Sequence, residues 1–118
     1  MTQDEGTKRF NLEERTALFG ETVIRFARRL QLNAVTDPLV RQLVRAATSI
    51  GANYCEADDA ATKKEFRYRI SICKRESRET KHWLRMLATA IPEQKDEIRP
   101  LWTEAKELNL IFGAIHRK

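Results

Sequence analysis

Apolar residues recur along this chain at helical spacing. Leu12, Phe19, Val23, Phe26 and Leu30 are separated by seven, four, three and four positions, which places them on one face of a helix from about residue 12 to 32. Asn11 ahead of Glu13 and Glu14 reads as an N-cap with an acidic first turn. Asn33, a residue that tolerates the left-handed conformation, is expected to end this helix. Asp37-Pro38 then offers a cap followed by a proline at the first helical position. The second helix is predicted from Pro38 to about Ala57, with Leu39, Leu43, Ala46 or Ala47, Ile50 and Tyr54 as its apolar face and Val40 and Val44 widening the stripe. Thr62 and Glu65 have the spacing of a capping box. After them Phe66, Ile70, Cys73, Ser77, Thr80, Leu84, Leu87 and Ile91 alternate steps of four and three without a slip, so the third helix is the longest and stops at Pro92. Ile98, Leu101, Ala105, Leu108, Phe112 and Ile115 repeat the alternation in a fourth helix, whose start Pro100 leaves between Glu93 and Pro100.

Long amphipathic helices joined by linkers of about four or five residues leave neighbours antiparallel, and the 3.5-residue repeat selects shallow left-handed crossings. The expected fold is all-α, an antiparallel up-down-up-down four-helix bundle forming a single domain over residues 11–118, with residues 1–10 a disordered N-terminal segment. Composition agrees: 118 residues, 42% hydrophobic and 33% charged, supply both a core and a charged exterior, and three Pro and four Gly leave little room for a turn-rich β fold. The polar N-terminus lacks the apolar core of a signal peptide, and no stretch approaches the roughly 20 apolar residues of a membrane span. The expectation is a cytoplasmic protein with no membrane partner, in which Cys55 and Cys73 are small buried hydrophobes rather than a disulfide.

Three segments form a recognisable pattern: Arg45-Ala-Ala-Thr-Ser-Ile-Gly-Ala-Asn53-Tyr-Cys-Glu56, Lys64-Glu-Phe66, and Glu76-Ser-Arg-Glu-Thr-Lys-His-Trp-Leu-Arg-Met-Leu87. On these the chain resembles the four-helix-bundle family named after open reading frames in the intervening sequences of large-subunit ribosomal RNA genes. The resemblance spans residues 38 to 116. It implies a bacterial cytosolic bundle that assembles as a homopentamer, akin to a nucleic-acid-binding accessory protein of diversity-generating retroelements. Asn53 and Glu56 match the family motif and are expected to cap the second helix or bridge it to the third. The chain departs from the pattern where the family carries Glu-Gly, because Ala57 and Asp58 follow Glu56 and remove a flexible helix stop.

No catalytic constellation emerges from the residues. Glu79-x-x-His82 has the spacing of a carboxylate-bridged di-metal ligand pair, but such a site needs a second copy, and the only other histidine, His116, has Gly113 three positions earlier. Ser49, Ser71, Ser77, Cys55 and Cys73 have no histidine that the helix layout would bring near. Ser77 and Thr80 fall on the apolar stripe, where back-bonding to the preceding turn is expected. The glycines at 6, 20, 51 and 113 are too scattered for a phosphate loop. We therefore expect no enzyme activity, no cofactor and no metal.

Charge is unevenly placed. The chain carries a formal +5, and between Lys63 and Arg85 nine basic residues face three acidic ones. One position after each core residue of the third helix fall Arg67, Ser71, Lys74, Arg78, Lys81 and Arg85, a basic stripe about 27 Å long at 1.5 Å per residue. It is either a solvated face paired with acids of a neighbouring helix or subunit, or a phosphate-contacting surface. The aromatic residues near it are Tyr68 and Phe66, few for base stacking. One position before each core residue fall Ile72, Glu76, Glu79, Trp83, Met86 and Ala90. Ile72, Trp83 and Met86, with Trp102 from the fourth helix, form either a subunit contact or the margin of a wide core. Two functional readings follow: an oligomer that binds RNA or DNA through the stripe, and an oligomeric scaffold that binds only an unidentified protein partner.

Overall fold

The apolar periodicities become four helices in the computed structural model, which describes residues 11–118; the segment expected to be disordered, residues 1–10, lies outside the described residues. They are α1 (Leu12–Arg28), α2 (Thr36–Asp58), α3 (Lys63–Ala90) and α4 (Lys95–Arg117), the last entered through a 3-10 turn at Pro92–Gln94. The described residues contain no strand.

Cross-links between helices give their directions. Thr16 lies against Gly51 and Gly20 against Thr48, so α1 and α2 are antiparallel. Arg45 reaches Glu76 and Glu79 while Arg69 reaches Asn53 and Glu56, which orients α3 against α2. Asn109 donates to the Lys74 carbonyl while Lys81 meets Trp102, which orients α4 against α3. Arg15 bonds Glu104 and Arg29 bonds Glu97, so α4 also runs antiparallel to α1. This is the expected up-down-up-down bundle.

The core comes from the predicted faces. Val23, Leu43, Ile50, Ile70, Leu84, Leu87, Leu108 and Phe112 are fully buried, and so are Ser77 and Thr80. Those hydroxyls donate to the carbonyls of Lys74 (3.0 Å) and Glu76 (2.8 Å) in the preceding turn of their own helix. Small residues bring α1 close to α2: a Cβ added at Gly51 would come 3.2 Å from Thr16 Oγ1.

The helix ends follow the capping chemistry in part. Thr62 Oγ1 accepts from Glu65 N at 3.1 Å and so caps α3 as expected, while Glu65 Oε2 reaches back to Ala61 N at 3.4 Å, one residue ahead of the amide a capping box would use. Asn11 occupies the cap position of α1, but its side chain makes no capping bond. Asn33 departs from expectation, because no described residue has positive φ and α1 already ends at Arg28. Instead Asn33 Oδ1 accepts from the amides of Val35 and Thr36, and Thr36 Oγ1 accepts from Asn33 N, all at 2.9 Å. Asn33 therefore heads α2 rather than closing α1, since two orphan amides gain an acceptor there. Pro38 falls within the first turn of α2, where a missing amide donor costs least. At the other end of α2, Ala57 is buried and the helix continues through it to Asp58. Pro100 sits inside α4, which begins at Lys95.

One burial expectation is corrected. Cys73 is buried, its Sγ 3.5 Å from the Ile50 carbonyl oxygen, but Cys55 is exposed. Cys55 lies one position past Tyr54 at the margin of a shallow α1–α2 groove lined by Glu13, Gly20 and Gly51, beyond the reach of the core. Ile72 is buried within the chain itself and Trp83 packs against the core. Within one chain, the flank of α3 that holds them lies at the margin of the α2–α3 packing, with Trp83 and Met86 half-buried.

Candidate nucleic-acid interface

The basic stripe of α3 runs along its seam with α4. Arg67, Lys74, Arg78 and Arg85 are exposed and Lys81 is half-buried. Arg67 Nη1 donates to the Lys118 carbonyl oxygen at 3.0 Å, and Asn109 Nδ2 bridges the Lys74 carbonyl (2.8 Å) and Ser77 Oγ (3.2 Å). Among the described residues none of the five cations has a carboxylate side chain within ion-pairing distance.

The acids that might have neutralised them face other helices. Glu104 and Glu107 bind Arg15 of α1 at 2.7 and 3.1 Å, and Glu97 binds Arg29 at 2.8 Å. Glu79 takes Arg45 of α2 at 2.7 Å. Glu76 is only 6% exposed, and both its oxygens lie 3.2 Å from Arg45 Nη1. That pairing meets the demand a buried carboxylate makes for a charged partner. Every acid of α3 and α4 in these pairs is turned toward α1 or α2. The α3–α4 face keeps its positive charge.

α4 contributes a half of the surface that the α3 spacing alone does not reveal. Lys95, Arg99, Trp102 and Lys106 follow one another at four, three and four positions and so share one face of the helix. That face lies beside the α3 stripe. Lys81 Nζ is 5.8 Å and Lys106 Nζ 5.7 Å from the Trp102 ring centroid. Arg85, Lys95, Arg99 and Trp102 line a groove of about 580 Å³ floored by Leu84, Ala88 and Ile98. The spacing of these residues carries the signal, but the chain outside residues 63–85 holds 13 basic and 14 acidic side chains, so its summed charge conceals it.

The remaining candidate residues sit apart from this face. Asn53 Oδ1 accepts from Arg69 Nη1 at 3.1 Å, its Nδ2 donates to the Ser49 carbonyl, and Arg69 Nη2 lies 3.8 Å from Glu56 Oε1. Asn53 and Glu56 thus meet one α3 cation at the α2–α3 seam. Of the residues considered for a subunit contact, Ile72 is buried, Trp83 and Met86 are half-buried, and Trp102 is 36% exposed beside the basic stripe. Trp102 is an aromatic neighbour of the stripe alongside Phe66 and Tyr68; Phe66 is half-buried, and Tyr68 is exposed under the Arg69 guanidinium at 5.6 Å. Among the described residues no three His, Cys, Asp or Glu side chains gather as a metal site would require, and no helix is long and apolar enough to cross a membrane.

Comparison with known proteins gives a family and a fold. The family described as 23S rRNA-intervening sequence protein matches residues 8–113. The crystal structure of a protein with unknown function from the S23 ribosomal protein family of Bacteroides thetaiotaomicron superposes with a TM-score of 0.78, covering 90% of this chain and 98% of that one at 23% identity. At that identity the likeness concerns the fold. No curated protein is significantly similar to the chain.

Proposed function

We propose, on the premise that this chain belongs to the 23S rRNA-intervening sequence protein family, that it is a non-catalytic bundle binding RNA or DNA through phosphates along its α3–α4 face. The observation that carries this reading is the lack of any carboxylate side-chain partner for Arg67, Lys74, Arg78, Lys81 and Arg85 among the described residues. Lys95, Arg99 and Lys106 of α4 extend the same charge sign across the seam. A polyanion that neutralises these side chains releases its condensed counterions, and that release supplies the affinity. Phosphate contacts carry no base information, so the binding is sequence-tolerant. Assembly into a closed homo-oligomer belongs to the same reading, because copies of the face on one long strand add through effective concentration.

The test is a salt titration of binding to mixed RNA and DNA. With five to eight phosphates neutralised on a single strand, log affinity should fall against log salt with a slope of roughly −3 to −6. Reversing Lys74, Arg78 and Lys81 together to Glu should abolish binding while leaving the helical circular-dichroism signal intact. If correctly folded wild-type protein binds neither nucleic acid at low salt, the proposal fails and a scaffold for protein partners alone is the reading left.

A further inference from the structure

The groove at the Arg85 end of the seam differs from the rest of the basic face in holding an exposed indole. Trp102 forms one wall, Leu84, Ala88 and Ile98 make an apolar floor, and Arg85, Lys95 and Arg99 stand at the rim with no carboxylate in the lining. A volume of about 580 Å³ is in the range of sites that hold small flat ligands. Cations round an apolar slot match an occupant with a planar apolar face and anionic ends. A nucleotide within a strand has both, its base for the indole and its two phosphates for the rim.

We infer that Trp102 is a stacking platform for a base of single-stranded RNA or DNA, so that this end of the seam takes an unpaired strand in preference to a duplex. The inference rests on the phosphate-binding reading above and adds a substrate class to it. In a duplex the base faces are already stacked, and the indole has nothing to receive. At rest the ring carries the ammonium groups of Lys81 and Lys106 at 5.8 and 5.7 Å. An exposed cation–π contact of that kind is worth about 2- to 5-fold in an equilibrium, whereas a base stacked on an aromatic side chain is worth about 5- to 140-fold. The base therefore displaces a lysine from the ring, and the released ammonium is left beside the strand's phosphate. The exchange gains on both counts.

Four ligands separate this from its neighbours: a short oligothymidylate, an abasic strand of the same length, the corresponding duplex, and free thymidine monophosphate. Trp102→Ala should weaken oligothymidylate binding about 5- to 140-fold, leave abasic-strand binding unchanged and remove the preference for single strand over duplex. Trp102→Phe, which keeps a ring, should recover most of the loss. In a Trp83→Phe background Trp102 is the sole indole, and its fluorescence should be quenched by oligothymidylate far below the concentration of thymidine monophosphate needed. If Trp102→Ala changes nothing while salt-dependent binding to all strands persists, the platform is refuted and the phosphate reading stands. Absence of binding by wild-type protein to any strand at low salt would remove both. Quenching by phosphatidylglycerol vesicles but not by oligothymidylate would make the groove a lipid site and overturn the inference.

Discussion

Two cysteines on successive helices meet opposite fates, and the reason is a single position of helical phase. Cys73 sits on the unbroken four-three alternation of α3, so its burial was legible from spacing alone. Cys55 lies beside Tyr54, and whether it is covered depends on where α1 starts and how close it lies, which periodicity within α2 does not encode. Burial pushes the Cys73 thiol up to about 12 from an ordinary 9.0. The folded state holds that proton more tightly than the unfolded chain. Its contribution to stability is therefore complete below pH of about 9 and is lost as pH climbs toward about 12. Native protein should alkylate once, at Cys55, and take a second label only in denaturant. The alkaline fall in stability should be shallower in Cys73→Ala, measured by denaturant midpoints across that range. Two labels on the native protein would show that Cys73 is reachable. Asn33 teaches the same lesson in polar form: its residue type marked a helix boundary, but whether it closes one helix or opens the next was decided by where Thr36 and two amides lay in space.

At the scale of the element, α3 organises the bundle because it lies between α2 and α4 and offers a different face to each. Its length, register and first turn were all readable, since Thr62 with Glu65 fixes the start and eight residues in strict alternation fix the core face. Its charges were harder to interpret. The stripe was visible, but its pairing depended on which way Glu76, Glu79, Glu104 and Glu107 turn, and that is a property of the neighbours' rotation about their own axes. The α4 half of the basic face was missed for the same reason, since Lys95, Arg99, Trp102 and Lys106 become a surface only when laid beside α3. The register itself can be tested. Leu84 is fully buried, so Leu84→Ala should cost about 2–5 kcal/mol through lost transfer energy and a residual cavity. Leu110, which is exposed, should change stability by less than about 0.5 kcal/mol on the same substitution. Equal effects in chemical denaturation would mean that the assigned faces of α3 and α4 are wrong.

The whole molecule is electrostatically two-sided. Ion pairs join α1 to α4 and α2 to α3, whereas the α3–α4 face retains its cations among the described residues without acidic partners. Such a face repels a copy of itself, so an assembly built by contact between two α3–α4 faces would set like charge against like charge. The homo-oligomer expected from the family resemblance should therefore form through another surface and leave this one open to solvent. Ile72 is buried in its own chain, and Trp83→Asp would place a carboxylate against the core, disturbing the fold before it reported on assembly. A cleaner experiment changes charge alone. Light scattering of wild-type protein should give an integer multiple of the chain mass, independent of concentration and unchanged when Lys74, Arg78 and Lys81 are reversed to Glu. Addition of oligonucleotide should raise the mass only by that of the ligand. If the triple reversal dissociates the assembly, the band is itself the subunit contact, its cations meet acids of a second copy, and the protein-scaffold reading replaces nucleic-acid binding. If the wild type stays monomeric at every concentration, multivalency is lost, and each copy must bind its strand with the affinity of one face.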